Sequence, residues 1–272
     1  MAENRSRAAE AIAAIRAPLF VPASRPDRFK KAAASGTDAV ILDLEDAVGP
    51  ADKEAAREAL ACDFTDLPVL VRVNAHRTAW HAADIAAVGT LAVAAVVLPK
   101  SENPEDVARV VYALGASTPV IALIESARGL AEARRIAAVA GVVRLAFGSI
   151  DFCADLGCEH LREVLLPARF ELVLASRLAG IAAPIDGVTA TLADLSVTQS
   201  DAAHARSLGM NGKLCIHPKQ IEVVKRAFVP NEAEVQWAER VLAAGDGAVA
   251  VDGAMVDEPV RIRARTILSA AR

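Results

Sequence analysis

Two carboxylates stand where the chain could do chemistry. Glu125 closes the apolar run in IALIESARGL, Ile121–Leu130, and Asp151 follows the one in LAFGSIDF, Leu145–Phe152. Each run reads as a buried strand that stops at a polar loop. Neighbouring strands lie about 4.8 Å apart. Adjacent octahedral ligands, each about 2.0–2.1 Å from magnesium, are about 3 Å apart, so the two side chains can reach one ion. Oxygen-only ligation by few protein donors suits Mg2+ or Mn2+, with the other positions left to water and substrate. A competing reading pairs Glu125 with Arg128 and lets Asp151 cap a turn, and spacing alone does not separate the two.

Other strand ends carry polar groups as well. Arg72 ends PVLVRVN, and its fixed fork suits a substrate carboxylate or carbonyl oxygen, or else an ion pair with Glu45 or Asp46. Asp43, Glu45 and Asp46 of DLEDAV are too acidic to stand near a core without partners, and are expected to hold metal-bound water, Arg72 or Lys100. Lys100 could form a Schiff base with a keto substrate or simply supply positive charge. His217, ahead of Pro218, could bind a ligand or act as an acid, against the commoner structural role of a lone histidine. Arg25, Arg28, Lys30 and Lys31 form a basic cluster that could meet phosphates or be a solvated face.

The elements that must position these residues repeat one plan, a short apolar run followed by an alanine-rich amphipathic stretch. The strand candidates are residues 19–23, 39–45, 68–74, 95–100, 119–125, 142–148, 184–190 and 213–218. Helices are expected between them, one capped by Ser24 with Gly36 beyond its end, another over residues 196–208. Continuous apolar strands alternating with helices indicate a parallel sheet covered on both faces. Eight such units fit an α/β fold of the (β/α)8 TIM-barrel type, with its polar ring at the carboxyl ends of the strands. No GxGxxG or Walker loop follows the first strand. The expected division is an N-terminal helix or tail over residues 1–17, a catalytic barrel over 18–220, and a C-terminal helical extension or lid over 221–272.

Composition narrows the partners. Hydrophobic residues at 54% and charged ones at 24% describe a globular protein, and a net charge of -4 with 4% aromatics offers nucleic acid neither a basic field nor stacking platforms. No apolar run reaches the roughly 20 residues of a membrane span, and no secretory cleavage pattern follows the basic N-terminus, so the expected location is the cytoplasm. The four cysteines lack CxxC spacing and are expected to be reduced.

The ordered set LFVPASRPDRFKKA, AVILDLEDAV, VRVN, VVLPK, IESARG, FGSIDF and GKLCIHPKQI resembles the CitE-like branch of the HpcH/HpaI aldolase and citrate lyase β-subunit family, from Pro18 to the end of the chain. The resemblance implies a (β/α)8 barrel, a homotrimer or a multiple of trimers, that binds Mg2+ and acts on coenzyme A thioesters such as malyl-, citramalyl- or citryl-CoA. It implies Glu125 and Asp151 as metal ligands and Arg72 as the group that holds the oxygens of the reacting acid. In the family an aspartate in a GxMxDxP segment reaches a neighbouring subunit's active site, and GAMVDEP puts that residue at Asp257. One departure is Ser149-Ile150 ahead of Asp151, where many relatives carry a glutamate, which alters the surroundings of the metal without removing a ligand.

Overall fold

A computed structural model describes residues 2–115, 118–245, 247 and 249–271. Met1 and Arg272 of the expected terminal segments, and Asp246 and Ala248 of the expected C-terminal extension, lie outside these. The chain divides into two compact units, Met1–Lys225 and Arg226–Arg272.

The first unit opens with α1 (Ala2–Ala14) and β1 (Leu19–Pro22), then α2 (Phe29–Ala33), β2 (Val40–Asp43), α3 (Lys53–Glu58) and β3 (Val69–Arg72). It continues with α4 (His81–Val88), β4 (Ala95–Leu98), α5 (Pro104–Leu114), β5 (Val120–Ile124), α6 (Ala127–Ala131), α7 (Ala133–Ala137) and β6 (Val142–Phe147). α8 (Ser149–Leu156), α9 (Arg162–Ala179), β7 (Ala182–Ile185) and α10 (Leu195–Ser207) follow, and α11 (Lys219–Phe228) runs across the division.

β1 to β7 pair in sequence order, every pair parallel. β2, β4 and β5 are buried along their whole length, as a sheet covered on both faces demands. The expected seventh strand, 184–190, sits two residues earlier and ends at Ile185. Gly187 explains the exit: a Cβ there would stand 2.2 Å from Ser149 Oγ, so the backbone turns close over α8. The expected eighth strand is reduced to bridges. Lys213 pairs with Asp186 beside β7, and Cys215 pairs with Leu19 of β1, both in parallel sense. Ser24 makes no cap; Pro26–Arg28 form a 3-10 turn before α2, and Arg25 Nε and Nη2 bind Asp27 instead.

One face of the sheet carries a core of Ile41, Leu70, Val97, Leu123, Ala146 and Ile185, closed at the amino end by Ile12 and Ile15. Side chains alternate along a strand, so two residues beyond Ile41, Leu70 and Leu123 on this face come Asp43, Arg72 and Glu125. At the opposite end the fully buried Arg144 donates to the carbonyls of Ile12, Ile15, Ala183 and Asn211, capping the last turn of α1. Burial without a carboxylate partner lowers its pKa to about 9.

The second unit holds α12 (Glu232–Ala243), an antiparallel hairpin of β8 (Val249–Val251) and β9 (Ala254–Val256), and α13 (Glu258–Ala270). Asn231 and Glu234 close a capping box on α12. A small core of Ala238, Val241, Val256, Ala264 and Ile267 holds these pieces together. Among the described residues no helix is long and apolar enough to cross a membrane, and all four cysteines are free.

Candidate active site

Register builds the first part of the site. Asp43 and Arg72 are direct partners across β2 and β3, and the guanidinium grips the carboxylate through Nε and Nη2, each at 2.7 Å. Arg72 Nη1 stands 3.2 Å from Glu45 Oε2 but outside hydrogen-bonding geometry, so three of the five guanidinium N–H groups remain for other acceptors. Phe20 covers the guanidinium plane at 4.8 Å. Burial works against the Arg72 charge, but the Asp43 hydrogen bonds and the Asp43 and Glu45 charges outweigh it and keep the pKa above its ordinary value. The ion pair foreseen for Arg72 therefore exists, with Asp43 as the main partner and Glu45 as the second.

Glu45 links this pair to β4. Its Oε1 accepts from Lys100 Nζ at 2.8 Å, and burial raises its pKa despite the Arg72 and Lys100 charges. Lys100 has a left-handed φ of 46°, a conformation a lysine rarely adopts without constraint. The constraint is visible: its backbone N–H donates to Glu125 Oε1 at 2.7 Å while its ammonium holds Glu45. Burial lowers the Lys100 pKa, yet the Glu45 hydrogen bond and charge raise it overall, which works against the free amine that an imine needs.

Glu125 is the most perturbed member. It is 3% exposed, and its Oε2 has no hydrogen-bond partner. Burial is the main reason its pKa is pushed up to about 8, with the Glu45 and Asp151 charges adding to it and the Lys100 N–H opposing. The alternative pairing with Arg128 is not what holds it. Gly148, whose N–H donates to Ile124 O, makes room for it, since a Cβ there would lie 2.4 Å from the Glu125 Cβ. Asp151 lies within the first turn of α8, whose cap is Gly148, so it is not the cap residue.

Glu125, Asp151, Arg72, Asp43, Asp46 and Ser149 line one cavity of about 390 Å³. Ser149 Oγ is 2.9 Å from His160 Nε2. Exposed Asp46 lines the cavity rather than holding Arg72 or Lys100. Among the described residues no three His, Cys, Asp or Glu side chains gather as a metal-binding group. An ion here would therefore take two protein oxygens and fill its shell with water or substrate, as magnesium commonly does. An orphaned, buried carboxylate oxygen that shares a cavity with a second carboxylate fits such an ion.

Within the first unit, the remaining expected residues are not in this cluster. Arg25, Lys30 and Lys31 are exposed, with Arg25 tied to Asp27. His217 Nδ1 accepts from Lys219 N–H at 3.1 Å and so shapes the entry to α11. Asp257 belongs to the second unit, where its side chain accepts from Val260 N–H as the N-cap of α13.

Sequence reasoning missed Lys53. It reads as a surface lysine of α3, but it is 5% exposed and donates to the carbonyls of Leu44 and Glu45, each at 2.7 Å. The acidic loop DLEDAV ahead of it was the available signal, because carbonyls and carboxylates crowded there need a cation. A second missed cluster is Asp186, fully buried between Arg169 Nε at 2.8 Å and Lys213 Nζ at 2.9 Å.

A parallel α/β sheet with a cation and several carboxylates at its carboxyl edge has the layout of an α/β enzyme class that places its active site there. Within that class, residues 16–218 match the HpcH/HpaI aldolase/citrate lyase family, and the chain belongs to it. A citrate lyase subunit beta-like protein of Mycobacterium tuberculosis is 41% identical over 268 residues, covering 93% of this chain and 94% of the relative. A (3S)-malyl-CoA thioesterase of Cereibacter sphaeroides is 32% identical, covering 94% of each. The crystal structure of CitE from Mycobacterium tuberculosis with magnesium, acetoacetate and coenzyme A superposes with a TM-score of 0.86 at 40% identity, covering 95% of this chain and 98% of that one.

Proposed function

We propose that the protein is a Mg2+-dependent carbon–carbon lyase that cleaves a 3-hydroxyacyl-CoA thioester, or forms one by Claisen condensation. The observation that carries this reading is the buried Glu125 carboxylate, with one oxygen unpartnered, in a cavity shared with Asp151 and Arg72. Glu125 and Asp151 would hold the ion, with Mn2+ as a substitute. When bound, it supplies positive charge to the hydroxyl and carboxylate oxygens of the acid. The free N–H groups of Arg72 donate to the same oxygens as charge develops on them, and Asp43 fixes the fork so that little reorganisation is needed. Lys100 keeps Glu45 and Glu125 in place from both of its ends. In the condensing direction Asp257, supplied by a neighbouring subunit, removes a proton from the acyl-CoA methyl group, a role that rests on the family resemblance of GAMVDEP.

The same reading takes the first unit as a closed (β/α)8 barrel. The bridges of Lys213 to Asp186 and of Cys215 to Leu19 support the segment between them as the eighth stave. It also takes residues 18–220 as the catalytic domain after an N-terminal segment of 1–17, 221–272 as a lid, the assembly as a homotrimer, and the location as the cytoplasm. Exposed Lys30 and Lys31 are the candidates for the phosphates of coenzyme A.

The test is release of a 2-oxo acid and acetyl-CoA from malyl-, citramalyl- and citryl-CoA, abolished by EDTA and restored by Mg2+. E125Q and D151N abolish turnover, whereas D257A loses turnover but still binds Mg2+. Inactivity across the panel with metal present and the assembly intact refutes the reading. A second reading, the β component of a citrate lyase acting on a carrier-bound thioester, is favoured by relatives that bear the citrate lyase subunit beta name. It predicts cleavage of the thioester on an acyl carrier protein but not on free coenzyme A.

A further inference from the structure

Cleavage of a 3-hydroxyacyl thioester needs a base for the hydroxyl proton, and the cavity wall leaves few. Glu125 and Asp151 would face the ion, and both oxygens of Asp43 are engaged by Arg72 and by the N–H groups of Glu45 and Ala47. Among the described residues of the wall, the other side chains that can take a proton are exposed Asp46 and Ser149. Ser149 is 1% exposed, and its Oγ lies 2.9 Å from Nε2 of His160. A Cβ on Gly187 would stand 2.2 Å from that Oγ, so the close backbone leaves the hydroxyl little freedom to turn away from the imidazole. His160 itself is exposed, on the loop that joins α8 to α9. That loop is fixed where Gly157, left-handed at φ 67°, ends α8 and Cys158 N–H bonds back to Cys153 O at 3.1 Å. One hydrogen bond thus joins a buried atom of the cavity wall to a ring at the surface.

Resting on the lyase reading, we propose that Ser149 and His160 form a proton relay that carries the substrate hydroxyl proton from the cavity to solvent. Ser149 donates its O–H to Nε2 of the Nδ1–H tautomer, which leaves the Oγ lone pairs for the substrate hydroxyl. As the C–C bond breaks, the substrate proton passes to Oγ and the Ser149 proton to Nε2. The electron pair of the substrate O–H bond completes the 2-oxo carbonyl, and the α-carbon keeps the pair of the C–C bond and takes up one proton. The imidazolium gives a proton to water, and exchange with solvent restores the starting tautomer. The ring must start neutral, and its surroundings favour that. Partial burial of the ring, with the charges of Arg169 on α9 and of Lys213, holds its pKa below the ordinary histidine value, against the pull of Asp186 and of Asp201 on α10. Arg162, at the start of α9, is closed on Asp201. Ser149 is the group that meets the substrate, and His160 acts through it.

The full chain is tested in two ways. Without metal, nitrogen NMR of the imidazole reads the tautomer and the titration of His160. The expected result is the Nδ1–H form, with a pKa that rises in S149A because the donor to Nε2 is gone. An Nε2–H tautomer, or a titration indifferent to S149A, overturns the relay. With Mg2+, turnover is measured on whichever of malyl-, citramalyl- and citryl-CoA is cleaved. H160Q and S149A should each lower kcat about 100-fold, with Mg2+ affinity unchanged in H160Q, and the double variant should lose no more than either single one because the two act as a unit. The acid limb of the wild-type kcat profile should vanish in H160Q. Additive losses in the double variant, or a loss of Mg2+ affinity in H160Q that accounts for its lost turnover, overturn the proposal. So does a 100-fold loss in D46N beside full turnover in H160Q, which would give the proton to Asp46. No cleavage of any thioester by the wild type, with the Nδ1–H tautomer and its response to S149A intact, refutes the lyase reading and leaves the path from cavity to solvent standing.

Discussion

Replacing Glu125 by glutamine tests the metal site through stability alone. The native carboxyl holds its proton to about pH 8, whereas an unfolded glutamate releases its proton near pH 4.3. Between these values the native state binds the extra proton, so stability falls as pH rises across that window. Fully developed above pH 8, the cost of the buried anion is about 5 kcal/mol at about 1.4 kcal/mol per pH unit. Glutamine keeps an oxygen for the Lys100 N–H but places an NH2 group where Oε2 has no partner. That costs about 1–3 kcal/mol. The metal-free E125Q protein should therefore be about 2–4 kcal/mol more stable than wild type at pH 8.5, and no more stable at pH 5.5. Calorimetry of both proteins in EDTA, at the two pH values, reads this directly. Repeating the scans in Mg2+ should raise the wild-type Tm at pH 8.5 and leave that of E125Q unmoved. Equal Tm values at pH 8.5 without metal, or equal stabilisation of both by Mg2+, would refute the argument.

Three further outcomes follow from particular contacts. G148A drives a Cβ into the Glu125 side chain, and should cost about 1–3 kcal/mol and weaken Mg2+ binding at least tenfold, read by calorimetric titration. R72K exchanges the planar fork on Asp43 for a point charge, and should lower kcat about 100-fold with a smaller change in KM. R144M leaves the carbonyls of Ile12, Ile15, Ala183 and Asn211 without their donor, and should cost about 3 kcal/mol or more by urea denaturation while sparing Mg2+ affinity in protein that remains folded.

Much of the fold could be read from apolar runs, because strands buried on both faces lack the polar alternation that blurs other sheets. β2 to β6 fall inside the stretches expected for them. The misreadings arise where tertiary contacts overrule local pattern. PIDGVTA contains strand-like residues, yet Asp186 is drawn into the core by Arg169 and Lys213, and Gly187 passes too close to Ser149 for the strand to run on. The ring of polar strand ends could be read too, but not its pairings. That Arg72 closes on Asp43 depends on the β2–β3 register, which no local stretch encodes. Lys53 looks like any helix lysine until the loop folds back over it.

Arg144 also has a consequence in time. Its bonds join the carbonyls of α1 to a strand 132 residues further on. At about 5–20 residues per second, a ribosome needs roughly 7–26 s to deliver that strand after α1 has emerged. Until then the carbonyls of Ile12 and Ile15 lack the guanidinium, and the core that these two side chains close lacks Ala146 and Ile185. α1 is thus fixed only once β6 is in place, and it should gain hydrogen-exchange protection in refolding only when β6 does.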